Sequence, residues 1–178
     1  VLGVNPGQQK NKTNVSREAS IKPGRSRYRV ALLPTSVSDP SRIYHAEDRA
    51  AKLVQDAVQE SDILELTFLS NDADHMEKAS KDKNISSRML DKVWGFRNPK
   101  FDLVYEIGAK LGVDLVAMYE FDITNSQDEM KIYLVNIKNQ VEYHQSIWTE
   151  GCFSEGDGYR EELDLTRKIF EDFLNDMK

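Results

Sequence analysis

The sequence predicts an α/β domain in which helices flank a mixed β-sheet. Short apolar runs at YRVALLP (residues 28–34) and DILELTFL (62–69) enclose a stretch of helical periodicity. The segment FDLVYEIGAKLGVDLVAMYEFD (101–122) reads as a helix, a glycine stop and an apolar strand. Two further strands and a last helix complete the order β-α-β-α-β-β-β-α, which is typical of a sheet packed between helices.

The first part of the chain differs from the rest in composition. Residues 1–27 are polar, carry six basic residues against one acidic residue, Glu18, and show no apolar periodicity. Such a segment buries too little apolar surface to offset the entropy of ordering. We therefore expect a flexible tail or linker, followed by a single α/β domain over residues 28–178. The alternative is that the tail's positive charges bind an anionic membrane surface.

The first strand and helix follow from simple patterns. YRVALLP ends at a proline and predicts a strand, and TSVSDPS (35–41) predicts a loop. A helix is predicted over about 42–60, because six apolar residues recur at helical spacing: Ala46, Ala50, Leu53, Val54, Ala57 and Val58. DILELTFL alternates and contains β-branched and aromatic residues, so it predicts the second strand.

The stretch after the second strand has the weakest pattern. The polar segment 70–84 predicts a loop or an exposed helix, and ISSRMLDKVW (85–94) predicts a short helix that GFRNP then breaks. Asn98 is expected to cap the next helix, with Pro99 in its first turn.

The central helix and strand have the clearest pattern. Gly112 is expected to end the helix in a left-handed conformation. The helix presents one apolar face, formed by Phe101, Val104, Ile107, Gly108 and Leu111. In the strand after it, Leu115, Ala117, Tyr119 and Phe121 point one way, and Val116 and Met118 point the other. A strand that is apolar on both faces is expected to be covered on both sides.

The last two strands are predicted to pair as a β-hairpin. MKIYLVNI (130–137) and VEYHQSIWTEG (141–151) are joined by Lys-Asn-Gln, a length that suits a hairpin. The mixed polarity of the second strand predicts an edge position in the sheet.

A final helix is predicted over about 159–177. Its apolar stripe comprises Tyr159, Leu163, Thr166, Ile169, Phe170, Phe173 and Leu174. EGDG precedes it, and Glu155 and Asp157 would repel a phosphate, so we interpret this segment as a turn capped by Asp157 or Gly158.

Composition and charge argue against several function classes. No apolar run approaches the roughly 20 residues needed to cross a bilayer. The net charge of −6 argues against nucleic acid as a partner. Membrane contact is expected only through a tether upstream of Val1. The single cysteine, Cys152, cannot form an internal disulfide.

One acidic cluster resembles a metal site in composition. Residues 71–77 offer Asp72, Asp74, His75 and Glu77. The segment lacks the glycine and the distal glutamate of a calcium-binding EF-hand loop. We interpret it as a solvated polar loop and predict neither a metal nor a cofactor.

No catalytic set is apparent in the sequence. Cys152 and His144 are too close along an extended strand to meet easily, and no G-x-S-x-G motif occurs. Asp114, Glu120 and Asp122 faintly resemble a nuclease carboxylate set, but the expected lysine is missing. We predict that the chain is not an enzyme.

Four aromatic residues are candidates for binding a partner: Trp94, Phe96, Tyr143 and Trp148. The first two lie in the breaker-rich VWGFRNP, where they either anchor a partner or cap the core from outside. Tyr143 and Trp148 point to opposite sides of the last strand, so one of them is expected to be exposed. An edge strand can also pair with a strand of a partner.

Three phrases resemble a known family. YRVALLP, IGAKLGVDLVAMYEF (107–121) and IYLVNIKNQVEYHQSIWTEG (132–151) are similar in order and spacing to the amino-terminal domain of TolB. This fold recurs in CsgG-like and LpoB-like bacterial envelope lipoproteins. The chain departs from the family in three ways: no β-propeller follows, no long amphipathic hairpins are present, and the hairpin turn lacks glycine.

The resemblance implies a non-enzymatic domain that binds another protein in the cell envelope. Such a domain would act in envelope assembly, secretion or cell-wall regulation, in the periplasm or at the outer membrane. The same fold also occurs in soluble regulators. The alternative is therefore a cytoplasmic module that senses a small ligand and is fused to an upstream effector. The sequence does not define the oligomeric state.

Overall fold

The computed structural model describes residues 27–123, 128–149 and 158–178, except for the side chain of Thr149. Nearly all of the expected tail, together with Cys152 and Asp157, lies outside these residues. The strands are β1 (Tyr28–Leu32), β2 (Ser36–Val37), β3 (Leu64–Leu69), β4 (Leu115–Ile123), β5 (Asp128–Asn136) and β6 (Val141–Thr149). The helices are α1 (Ile43–Gln59), α2 (Ala73–Lys83), α3 (Ser87–Leu90), α4 (Phe101–Leu111) and α5 (Tyr159–Asp176), with a 3₁₀ turn at Pro40–Arg42.

The strands form one mixed sheet in the order β3-β1-β4-β5-β6. β1 and β3 pair in parallel, and both β1 and the short β2 run parallel to β4. β5 and β6 are antiparallel, so the predicted hairpin and mixed sheet are confirmed. β6 lies at one edge of the sheet, as its mixed polarity predicted.

Helices cover both faces of the sheet, as the apolar β4 predicted. α1 and α5 pack on the face that includes Tyr119 and Phe121. Residues of α2, α3 and α4 pack on the opposite face with Val116 and Met118. All four of these β4 side chains are fully buried. The predicted apolar stripe of α1 is buried in full.

The turn between α4 and β4 is built as the sequence predicted. Gly112 has φ +68° and ends α4 in the left-handed region. The Asp114 carboxylate accepts the backbone N–H of Arg29 at 2.8 Å, and its own N–H donates to the Arg29 carbonyl at 2.9 Å. Asp114 therefore joins β1 to the start of β4, which explains this residue without any catalytic role.

Two local predictions were wrong. The segment predicted as a loop contains β2, because Ser36 and Val37 pair with Glu120 and Phe121, along the same side of β4 that β1 occupies. Asn98 does not cap the next helix: α4 begins at Phe101, after Lys100. Pro99 pairs instead with Trp94 in an isolated β-bridge, which closes a loop before the helix starts.

The weakly patterned stretch contains more helix than its hydrophobic periodicity indicated. Residues 73–83 form α2, which begins at Asp72, whose carboxylate accepts the N–H groups of Asp74 and His75. The helix predicted within residues 85–94 is limited to the four residues of α3.

Candidate partner-binding surface

The loop at residues 94–99 is held in place by contacts of the half-buried Trp94. The Trp94 indole N–H donates to the carbonyl of Pro34 at 2.6 Å, and its ring packs edge-on against Tyr133 with 5.9 Å between ring centroids. The Gly95 N–H donates to the Asn98 carbonyl at 2.8 Å and closes the loop. Trp94 therefore supports the loop from below.

The same loop presents two residues to solvent. The side chain of Phe96 is 88% exposed. The Arg97 guanidinium lies over its ring, 5.1 Å from the centroid. Arg97 has φ +69°, a left-handed conformation that costs a non-glycine residue roughly 1 kcal/mol or more. The tight loop closure maintains this strained conformation and keeps both side chains outside.

The edge strand β6 exposes one of its faces. Trp148 lies opposite Glu129 of β5 and is 56% exposed. His144, on the same face, stacks on Tyr133 with 6.1 Å between centroids. Because Trp94 also packs on Tyr133, the 94–99 loop and Trp148 lie on the same side of the sheet. Glu142 and Ser146 share this face of β6 and are also exposed.

Tyr143 lies on the other face of β6. It packs edge-on against Phe173 of α5, with 6.3 Å between centroids, and its hydroxyl donates to Asp176 at 2.7 Å. Of the four aromatic candidates, the structure therefore places Phe96 and Trp148 on one exposed surface. Trp94 lies beneath that surface, and Tyr143 packs beneath α5.

Charged residues lie between the loop and Trp148. Glu120 of β4 pairs with Lys131 of β5 across the sheet. The Lys131 ammonium is 4.0 Å from the Glu129 carboxylate. Burial raises the pKa of Glu120, and the carboxylates of Asp122 and Glu129 add to the rise, while the charges of Lys131 and Arg97 oppose it. Within the described residues, Glu120 Oε2 is buried without a hydrogen-bond partner.

We name this region the open-face surface and define it by Phe96, Arg97, Glu120, Lys131 and Trp148. Sequence reasoning identified Phe96 and Trp148 but missed the other three. Glu120 carried a signal that could have found it, since it is the one charge within the otherwise apolar LVAMYEF run. Exposed aromatic rings beside mixed charges can recognise apolar and polar groups of another molecule.

Two side chains of the acidic segment 71–77, Asp72 and His75, have structural roles. Asp72 caps α2, and His75 Nδ1 accepts the backbone N–H of Leu69 at 3.0 Å. Among the residues that the structure describes, no three His, Cys, Asp or Glu side chains are grouped closely enough to hold a metal ion. In the same part of the chain, the helices are too short or too polar to cross a membrane.

Comparison with known proteins finds similarity among solved structures. No protein-family model and no curated protein matches the chain. The chain is similar in fold to LpoB and TolB. For the C-terminal domain of LpoB from Salmonella enterica, the TM-score is 0.48 at 8% identity, over 71% of this chain and 84% of that one.

Two other structures are similar to a comparable degree. TolB from Acinetobacter baumannii gives a TM-score of 0.49 at 9% identity over 84% of this chain, which spans only 28% of the TolB chain. A lipoprotein from Neisseria meningitidis gives 0.46 at 13% identity over 85% of this chain and 99% of that one. The resemblance predicted from the sequence is thus found again in the structure, as a likeness of fold alone.

Proposed function

We propose that the chain is a non-catalytic protein-binding domain whose partner docks on the open-face surface. The observation that carries this proposal is the exposure of two large aromatic side chains on one side of the sheet: Phe96 at 88% and Trp148 at 56%. Burying an apolar side chain of this size against a partner contributes about 1.5–3 kcal/mol. Tryptophan and arginine are also enriched among the residues that dominate binding energy.

The loop is suited to binding because its conformation is already fixed. Trp94 anchors it, and the Gly95–Asn98 hydrogen bond closes it. A partner that contacts Phe96 and Arg97 therefore pays little additional entropy to order the loop. The strained φ of Arg97 is consistent with a conformation kept for contact with another molecule.

The edge of β6 provides a binding mode. Within the described residues, β6 pairs only with β5, so its outer backbone groups are available for hydrogen bonds. We infer that the partner contributes an extended segment that adds to β6 as a further strand. Alternate side chains of that segment would then lie beside Trp148 on the exposed face.

The proposed setting is a bacterial cell-envelope system for assembly, secretion or cell-wall regulation. The partner would be another envelope protein, in the periplasm or at the outer membrane. This part of the proposal rests on the three phrases that resemble the TolB amino-terminal domain.

A second candidate function is that of a regulatory module that binds a small ligand. One specific observation favours it: a groove lined by Arg29, Lys78 and Lys83 on the side of the domain near β3. This groove lies at the opposite edge of the sheet from β6, so the two functions can be tested separately.

Site-specific photocrosslinking in cells that produce the native protein tests the main proposal. A photoreactive phenylalanine replaces Phe96 or Trp148, and Tyr44 serves as the matched control, because it is 79% exposed but lies on α1 at the other face. We expect positions 96 and 148 to crosslink the same protein and position 44 not to do so. The proposal fails if all three positions give the same products, or if neither surface position gives a discrete product.

A further inference from the structure

A basic groove lies between α2 and the β1–β3 edge, at the opposite end of the strand order from β6. Its walls include Arg29 of β1, Lys78 and Lys83 of α2, and Leu111 at the end of α4. Its volume of about 210 Å³ is below the usual range of drug-sized pockets, which points to a small ligand.

Three cations line this groove: Arg29, Lys78 and Lys83. Within the described residues, neither Arg29 nor Lys78 nor Lys83 forms an ion pair. Three acidic side chains are nearby: Asp82 lines the groove, Glu65 lies beside Arg29 in the strand register, and the Asp114 carboxylate accepts the Arg29 backbone N–H. Among the residues that line the groove, the three cations outnumber the one carboxylate, Asp82, although the chain as a whole has a net charge of −6.

A histidine adds a neutral donor. His75 lines the groove and stacks on Phe68 with 6.2 Å between ring centroids. Because its Nδ1 accepts the N–H of Leu69, the proton of the neutral ring lies on Nε2. Nε2 is therefore a hydrogen-bond donor.

The strand beside the groove is irregular. The β1–β3 register shifts between Val30 and Ala31, which leaves Thr67 as an extra residue in β3. Such bulges re-aim side chains and are over-represented beside functional sites. Here the bulged Thr67 is itself one of the lining residues, and its hydroxyl donates to the Val30 carbonyl at 3.4 Å.

The remaining lining is apolar and comes from Phe68, Ala79 and Leu111. Phe68 and Ala79 are buried, so they form the apolar floor of the groove. Cationic donors at the rim of an apolar floor match a molecule with a negative group at one end and a hydrocarbon body at the other. We propose that this groove binds a small organic anion, in which a phosphate or carboxylate group is attached to an apolar body.

Titration of the ¹⁵N-labelled chain with phenyl phosphate tests this site. We expect saturable shifts of the backbone signals of Thr67, Phe68 and Ala79, with much smaller shifts from phenol and none from benzylamine. The variants Lys78→Gln and Lys83→Gln should each weaken binding about fivefold, the upper range for one exposed charge pair. Lys81→Gln is the matched control, because Lys81 shares the last turn of α2 with Lys83 but does not line the groove.

Two outcomes would overturn the proposal. One is the absence of saturable shifts at the groove residues, and the other is an equal effect of Lys81→Gln and Lys83→Gln. Sedimentation with phosphatidylglycerol vesicles then distinguishes the source of the anion. Vesicle binding that is lost in Lys78→Gln assigns a lipid headgroup, whereas phenyl phosphate binding without vesicle binding assigns a soluble ligand, and both support the groove. Since no residue of the open-face surface is changed, failure here leaves the proposed protein-binding function intact.

Discussion

Arg49 of α1 and Glu162 of α5 form a bidentate ion pair below the surface of the domain. Arg49 Nε lies 3.0 Å from Oε1 and 2.9 Å from Oε2 of Glu162, and Nη2 also donates to Oε2. The Glu162 side chain is fully buried and that of Arg49 is 10% exposed. Burial raises the pKa of Glu162, while Arg49 opposes this rise. The pair therefore fixes the packing of two helices that cover the same face of the sheet.

Removing one partner of this pair should strongly destabilise the domain. Glu162→Ala leaves the Arg49 charge without its buried carboxylate, so we expect a loss of about 3–5 kcal/mol in the free energy of unfolding. Urea denaturation measures the loss.

The chain contains a matched control for that experiment. Arg167 of α5 and Glu60, the residue that follows α1, form a second bidentate contact, but at the surface. Glu60→Ala should change stability far less than Glu162→Ala, because solvent screens the exposed pair. Equal losses in the two variants would show that burial of the Arg49–Glu162 pair is not what matters.

Glu120 should make stability depend on pH. Its folded-state pKa is raised by burial, so its favourable contribution is complete below the unfolded pKa and is lost as pH rises through the folded pKa. Glu120→Gln removes the charge. The variant should gain stability relative to the wild type as pH rises from about 4 to about 7. At neutral pH we therefore expect the variant to be the more stable of the two proteins.

Urea denaturation of both proteins across this pH range provides the measurement. A difference that shrinks or reverses with rising pH would show that the ionised carboxylate stabilises the fold, through Lys131 or Arg97. The burial argument for Glu120 would then be wrong.

Gly108 permits close packing of α4 on the sheet. A Cβ at this position would lie 2.4 Å from Ile137 Cδ1 and 2.7 Å from its Cγ1. Gly108→Ala gains about 1 kcal/mol of helix propensity. We expect overpacking of about 1–3 kcal/mol to exceed this gain, for a net loss of about 1 kcal/mol.

The same substitution in an Ile137→Ala background identifies the cause. With the clashing atoms gone, Gly108→Ala should no longer destabilise, and thermal or urea unfolding of the four proteins completes the double-mutant cycle. If Gly108→Ala stabilises the chain in both backgrounds, the close approach is not a constraint.

Substitution of Trp94 and of Phe96 should affect stability differently, because Trp94 supports the loop and Phe96 lies at the surface. Trp94→Ala removes the ring that packs on Tyr133 and the hydrogen bond to Pro34, so we expect a loss of about 3 kcal/mol. Phe96→Ala removes an exposed ring and should stay within about 0.5 kcal/mol of the wild type. Urea denaturation tests both, and a large loss from Phe96→Ala would argue that the ring belongs to the core.

The regular elements were predictable because their patterns are local. The stripe of α1, the glycine that ends α4 and the two-faced apolar β4 each follow from residues close in sequence. The short β2 could not be predicted, because two residues are too few to show an alternation of apolar and polar side chains. Their pairing with β4 also depends on the fold. Asn98 and Pro99 form a good local capping signal. The helix nevertheless begins later, at Phe101, because Pro99 pairs with Trp94.

The buried ion pair between α1 and α5 joins residues that are distant in sequence. Glu162 recurs at helical spacing with Tyr159 and Thr166, which is a signal of burial, yet its partner Arg49 is 113 residues away. Likewise, sequence alone placed Phe96 and Trp148 as candidates but could not tell which candidates share a face. That distinction required the packing of Tyr133 between Trp94 and His144.

The most direct test of the central claim is the affinity of the photocrosslinked partner for purified variants of the open-face surface. Phe96→Ala and Trp148→Ala should each raise the dissociation constant by about 30-fold, which corresponds to a residue that contributes about 2 kcal/mol to binding. Tyr44→Ala should leave it unchanged. Wild-type affinity in both surface variants would contradict the account and would place the binding site elsewhere on the domain.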